Sequence, residues 1–178
     1  MLNDIDKVLI DEKKLSDIVK NLGEKISEDY RGKNLLMISI LKGSVVFMSD
    51  LMRYVTIPCQ IDFMAVSSYR GGIKSSGVVK ILKDLDIPLE GFDLLIVEDI
   101  LDSGQTLTYI KKILSARKPK SIKICTLLDK PMSRKSPIEA DYVGMQIPDE
   151  FVIGYGLDYK EEYRNLPFVG VLKPSLYS

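Results

Sequence analysis

Residues 97–106, VEDILDSGQT, carry three carboxylates, Glu98, Asp99 and Asp102, and then break into small and hydroxyl-bearing residues. Just ahead lies DLLIV, an apolar run with the character of a buried strand. In an open α/β sheet, ligands bind beyond the carboxyl ends of the strands, where a turn opens into the next helix. Backbone N–H groups of such a turn, with the positive end of the helix dipole, hold a phosphate dianion. Ser103 and Thr106 add hydroxyl donors, Gln105 adds its backbone, and Gly104 allows close backbone approach. The carboxylates repel phosphate and need another partner; vicinal sugar hydroxyls, which donate to acidic groups in nucleotide sites, fit that need. A ribose 5-phosphate satisfies both halves of the string. The pattern is neither G-x-x-x-x-G-K-[ST] nor G-x-G-x-x-G, so it is not a P-loop or a dinucleotide fingerprint. Taken alone, it also reads as an ordinary helix cap.

The surrounding chain supplies the elements that such a site requires. Asp11 can cap a helix whose apolar positions Leu15, Ile18, Val19, Leu22 and Ile26 follow the helical period, with Gly32 closing it. NLLMISIL reads as a buried strand ending at Lys42-Gly43-Ser44, followed by an amphipathic helix through Val45, Phe47, Met48 and Leu51. IPCQIDFMAVSS and VVKIL read as strands on either side of RGGIKSSG, a glycine- and serine-rich loop at residues 70–77. DLLIVEDI, a helix over 106–116, SIKICTLL and DYVGMQI complete the alternation. Buried strands alternating with helices argue for a mainly parallel, twisted α/β sheet flanked by helices. After residue 146 the pattern changes to short aromatic segments containing Phe151, Tyr155, Tyr159, Tyr163 and Phe168, which read as a small cap over one end of the sheet. The 178 residues are expected to form one domain, with a core at about 34–146 and a cap at 147–178.

Composition narrows the chemistry. Lys plus Arg equal Asp plus Glu at 25 each, which gives no basic excess for nucleic acid. The longest apolar runs fall far short of a membrane span, and MLNDIDKV lacks the apolar core of a signal peptide, so a cytoplasmic protein is expected. The absence of histidine removes Ser-His-Asp and Cys-His machinery and every His-ligated metal site. Cys59 and Cys125 lie in apolar, strand-like stretches and read as structural thiols. A metal, if used, must be held by oxygen, which points to Mg²⁺ or Mn²⁺.

The full string at 97–106 closely resembles the phosphoribosyl-diphosphate motif of the type I phosphoribosyltransferases, and other segments resemble the hypoxanthine-guanine branch of that family. LKGS at 41–44 is similar to its pyrophosphate loop, and SSYRGG at 67–72 to its mobile loop, with Ser68 and Tyr69 as the closing pair. LLDKPMSRK at 127–135 is similar to the segment with the purine-reading lysine. IPDEFVIGYGLDYKEEYRNLPFVG at 147–170 resembles the C-terminal purine and metal segment. Ser103 and Gln105 depart from the Thr and Lys that many members carry. The resemblance implies the type I phosphoribosyltransferase fold with a hood formed largely by the C-terminal segment.

It also implies roles. Asp102 would be the general acid/base facing the purine, while Glu98 and Asp99, with the turn from Asp102 to Thr106, would hold the ribose phosphate. Leu41, Lys42, Gly43 and Arg164 would bind pyrophosphate, with the Leu41–Lys42 peptide bond cis or able to become so. Lys130, Phe151, Val152 and Asp158 would surround the purine, and Glu98, Asp99 and Asp158 would meet Mg²⁺, with Mn²⁺ as a substitute. The substrates implied are phosphoribosyl diphosphate and a 6-oxopurine, in a homodimer or homotetramer without nucleic-acid or membrane partners. A xanthine-preferring enzyme is the near alternative, since xanthine differs from hypoxanthine at C2. A nucleotide-sensing regulator on the same fold would need a nucleic-acid surface, for which the charge balance and the short stretch before the first helix leave no room.

Overall fold

The computed structural model describes residues 1–68 and 79–177, with the side chains of Ser68 and Val79 excluded. Tyr69 and the loop at 70–77 therefore lie outside the described residues. The helix α1 spans Glu12–Asp29, and the Asp11 side chain accepts a 2.8 Å hydrogen bond from the Lys14 N–H, as an N-cap should. The helices α2 and α3 span Val45–Tyr54 and Gln105–Ser115.

A strand β1 at Ile5–Ile10 precedes them all and was not legible in the sequence. The strands β2 (Leu35–Leu41), β3 (Cys59–Ser68), β4 (Val79–Lys83), β5 (Asp93–Leu101), β6 (Ser121–Asp129) and β7 (Tyr142–Gln146) form one sheet in the order β4-β3-β2-β5-β6-β7. Only the edge strand β4 is antiparallel to its neighbour. Two short strands, β8 (Val152–Ile153) and β9 (Val169–Leu172), join β1 in a separate antiparallel sheet, β1-β9-β8. The cap is thus built from both ends of the chain. Its own small core contains Ile153, Tyr163, Leu166 and Leu172.

Both faces of the large sheet are covered, which is why its central strands are continuously apolar. Leu35, Met37, Leu95 and Val97 face α1 and α2, where they meet Val19, Ile26, Phe47 and Met48. Leu36, Ile38, Leu94 and Ile96 face the other way, against Leu107, Ile110 and Leu114 of α3. Cys125 is fully buried and Cys59 half-buried, and burial pushes both thiols up from their ordinary pKa, away from reactive thiolates.

Candidate active site

The sheet order reverses between β2 and β5: β3 lies on the outer side of β2, whereas β6 lies on the far side of β5. Such a reversal leaves a crevice at the strand ends. The pairing of β2 with β5 stops at Ser39–Val97, although β5 continues to Leu101 and β2 to Leu41. Glu98 and Asp99 are the first residues of β5 beyond this pairing, and both are half-buried. The alternation of the strand sends Glu98 towards a cavity of about 170 Å³, which is also lined by Asp102, Ser103, Gly104, Thr106 and Leu107. It sends Asp99 towards Gly43, where any Cβ would collide with the Asp99 carboxylate. Burial pushes Glu98 well above the ordinary carboxylate range, with the Asp99 charge adding to it. Burial likewise raises Asp99 to about 6, against hydrogen bonds from backbone N–H groups and the charge of Arg164.

The turn after β5 has the form a phosphate needs. Gly104 is the N-cap of α3, buried, with φ +75. That left-handed conformation favours glycine, and an added Cβ would also strike Ile138. Unlike α1, α3 has no side-chain cap hydrogen bond and no acidic residue in its first turn. Asp102, Gln105 and Thr106 are exposed on this lip, and Ser103 is half-buried beside them.

The strand β6 ends beside β5 and hands over to Lys130, which is only 7% exposed. A buried ammonium needs partners. Lys130 Nζ is 2.8 Å from Asp149 Oδ1 and 3.9 Å from Asp102 Oδ2. Asp149 also accepts a 2.7 Å hydrogen bond from Ser133, and Lys130 first, then Ser133, lowers its pKa. Phe151 is 37% exposed; its ring stacks on Tyr177 at 4.9 Å and meets Tyr159 edge-on at 5.6 Å. Val152 is buried at the start of β8.

A cationic cluster closes the other side. The Leu41–Lys42 peptide bond is cis, as expected. Ser39 and Ser44 share a 2.7 Å hydrogen bond inside this turn, and both are fully buried. Gly43 O packs so closely against Gly156 that an added Cβ there would collide with it, and the φ of +100 at Gly156 also favours glycine. Gly156 O in turn accepts a 2.8 Å hydrogen bond from Arg164, which pairs with Asp158 at 2.8 Å. Lys160 and Glu161 both have positive φ, at the centre of a tight turn closed by Tyr159 and Glu162. That turn delivers Glu161 to Lys42 at 2.8 Å and to Arg164 at 3.4 Å. The Glu161 carboxyl is held below its ordinary pKa, first by Lys42.

Residues 8–160 match the phosphoribosyl transferase domain family. The chain belongs to that family. It is 54% identical to the hypoxanthine-guanine phosphoribosyltransferase of Staphylococcus aureus (strain Mu50 / ATCC 700699), over all of this chain and 99% of the relative. A crystal structure of a hypoxanthine phosphoribosyltransferase from Staphylococcus aureus superposes with a TM-score of 0.96 at 54% identity, covering 100% of this chain and 97% of that one. The bifunctional protein TilS/HprT of Listeria monocytogenes (strain F2365) is 53% identical over the whole chain, which spans only 28% of that longer protein.

With the family established, the sheet and cap are those of a type I phosphoribosyltransferase. Of the residues singled out in the sequence, Glu98, Asp102, Lys130 and the turn at 103–106 gather at the ends of β5 and β6, and Asp99, Gly43, Asp158 and Arg164 gather beside the end of β2. Ser68 ends β3, and Tyr69 lies outside the described residues. Asp149 and Glu161 were passed over in the sequence, although each lies inside a quoted segment; the i,i+3 spacing of Glu161 and Arg164 was the available signal. Among the described residues no three His, Cys, Asp or Glu gather tightly enough to cage a metal alone. The charge of Asp158 nevertheless adds to the rise of Asp99 across the crevice. That donor set suits a hard cation shared with diphosphate oxygens, since Mg²⁺ ordinarily takes one or two carboxylates together with phosphate. A roomier cleft of about 560 Å³ between α1, α2 and the cap is lined by Arg164 but by neither Asp102 nor the turn at 103–106.

Proposed function

We propose that the chain transfers the 5-phosphoribosyl group of phosphoribosyl diphosphate to hypoxanthine or guanine, releasing pyrophosphate and the nucleoside monophosphate, as purine salvage requires. The observation that carries this reading is the 3.9 Å approach of the buried Lys130 ammonium to Asp102, on the lip of a helix N-terminus whose cap, Gly104, has no side chain. Lys130 donates to the oxygen at purine C6, and adenine, with an amino group there, leaves that donor unpaired. Asp102 holds or moves the proton of the attacking purine nitrogen. The turn from Asp102 to Thr106 receives the 5′-phosphate, and Glu98 and Asp99 accept from the ribose hydroxyls. The cation-like ribose of the transition state is stabilised by charge placement, so no covalent nucleophile and no histidine are needed. Lys42 and Arg164, with the backbone of Leu41 and Gly43, meet the departing pyrophosphate; an arginine suits phosphate oxygens through its paired N–H groups. Phe151 stacks on the purine and Val152 contacts its edge through the backbone. Ser68 and Tyr69 belong to the covering loop.

Glu98, Asp99 and Asp158 would hold Mg²⁺, for which Mn²⁺ can substitute, and the cation would neutralise diphosphate charge. A homodimer or homotetramer in the cytoplasm completes the proposal; light scattering and cell fractionation test those two parts. The enzymatic part is tested with the purified protein, Mg²⁺, phosphoribosyl diphosphate and a panel of hypoxanthine, guanine, xanthine and adenine. IMP and GMP should form and AMP should not. Preferential turnover of adenine would remove Lys130 from its role, and a dominant xanthine reaction would establish the xanthine-preferring alternative.

A further inference from the structure

The strands β5 and β6 end in register, with Leu101 opposite Asp129. The next residue on one is Asp102 and on the other Lys130, so the spacing of these strand ends sets the spacing of the two groups that meet the purine. The Lys130 N–H donates to Leu101 O at 3.0 Å, which is one tie across the gap. Arg134 supplies a second. One of its amino groups pairs with the Asp129 carboxylate and lies 3.5 Å from Leu101 O, while the other donates to Ile138 O at 3.1 Å. Its side chain is 17% exposed and that of Asp129 11%. The two residues that follow, Lys135 and Ser136, donate their N–H groups to Ser103 O at 2.9 and 3.2 Å. Gly104 faces the same segment: a Cβ there would lie 3.2 Å from Arg134 Cδ.

We propose that Arg134 is a positioning residue that locks the ends of β5 and β6 together, fixing Asp102 relative to Lys130 and forming the floor beneath the phosphate turn. This rests on the function proposed above. The guanidinium is planar and forked, so one group can hold a carboxylate and two carbonyls from different segments at once; an ammonium on a flexible stem cannot span them. Arg134 itself needs no contact with substrate. It acts by holding the reacting groups in place, and small displacements of such groups lower rates steeply, by up to about a hundredfold for ~1 Å.

The test uses Arg134→Lys, Arg134→Met and the pair Asp129→Asn/Arg134→Met, each alone and in an Asp102→Asn background, assayed with hypoxanthine and phosphoribosyl diphosphate. The paired variant removes both charges, so the fold is not left with an unpaired carboxylate. Arg134→Met and the paired variant should lower kcat by about ten- to a hundredfold and raise the KM for phosphoribosyl diphosphate, with the melting temperature of the paired variant close to wild type. Arg134→Lys should recover only part of the loss. In the Asp102→Asn background the further loss of kcat should shrink to about twofold or less, because Arg134 acts through Asp102; a merely structural role would multiply the two losses. An unchanged kcat, or full multiplication of the losses, overturns the role of Arg134 and leaves the proposed function standing. A wild-type protein that forms no IMP or GMP at all overturns the function instead.

Discussion

Replacing Asp99 with Asn should stabilise the free protein while it weakens the enzyme. Burial raises the Asp99 carboxyl to about 6, against 3.8 for an ordinary aspartate. At about 1.4 kcal/mol per pH unit, ionising it in the fold costs at most roughly 3 kcal/mol at pH 8. Asp99 is half-buried, so water screens part of this and about 1–2 kcal/mol is the expected gain from the neutral amide. Asn can keep the local shape, since its carbonyl can accept the 2.8 Å hydrogen bond that Ile100 N–H now gives the carboxylate. In a chain of this size the gain corresponds to a rise of about 2–8 °C in melting temperature. The pH dependence fixes the cause. Because the folded-state value lies above the unfolded one, the folded wild type binds the extra proton between pH 3.8 and about 6. Its stability therefore falls as pH rises through that window and levels off above it. The advantage of Asp99→Asn should be full at pH 8 and vanish near pH 4, as read by thermal melts across pH without ligand. With Mg²⁺ and phosphoribosyl diphosphate added, wild type should gain more than the variant, and kcat/KM of the variant should drop. Equal stability at pH 8, or a gain unchanged between pH 8 and pH 4, would refute the reasoning.

Asp102→Asn should lower kcat by roughly 10²–10⁴-fold while phosphoribosyl diphosphate still binds, since only proton handling is lost; single-turnover kinetics and a binding titration separate the two. Chelation with EDTA should abolish turnover, and Mg²⁺ should restore it; full activity in excess chelator would remove Glu98, Asp99 and Asp158 from the metal role. Glu161→Gln should tighten pyrophosphate, because the carboxylate now sits on both Lys42 and Arg164. One unit charge at ~5 Å in water is worth about fourfold in affinity, fading as salt is added, and product-inhibition constants at two ionic strengths measure it. Weaker binding in this variant would show that Glu161 organises the cations rather than competing for them.

The parts of the site that were legible in the sequence are those whose signals are local. The apolar run of β5 followed by carboxylates and then Ser103-Gly104-Gln105-Thr106 encodes strand, ligand lip and helix start within one short stretch, and each step follows from nearest-neighbour chemistry. What stayed hidden depends on contacts between distant residues. The strand β1 has only one fully buried residue, Ile10, and its partner β9 lies at the other end of the chain, so no local periodicity announces it. Asp149 looks like a surface acid in a turn until Lys130 is seen to be buried beside it. Arg134 looks like one more cation in a polar loop until the register of β5 with β6 brings Leu101 and Asp129 under its guanidinium. These residues share one property: each satisfies a charge or carbonyl that the fold, not the local sequence, removed from water. A chemical motif can be read from its own residues, whereas its scaffolding becomes visible only when burial has created the polar groups that must be paired. The Lys130–Asp102 approach belongs to that second class, and under the proposed function it is there that changes outside the motif should alter catalysis.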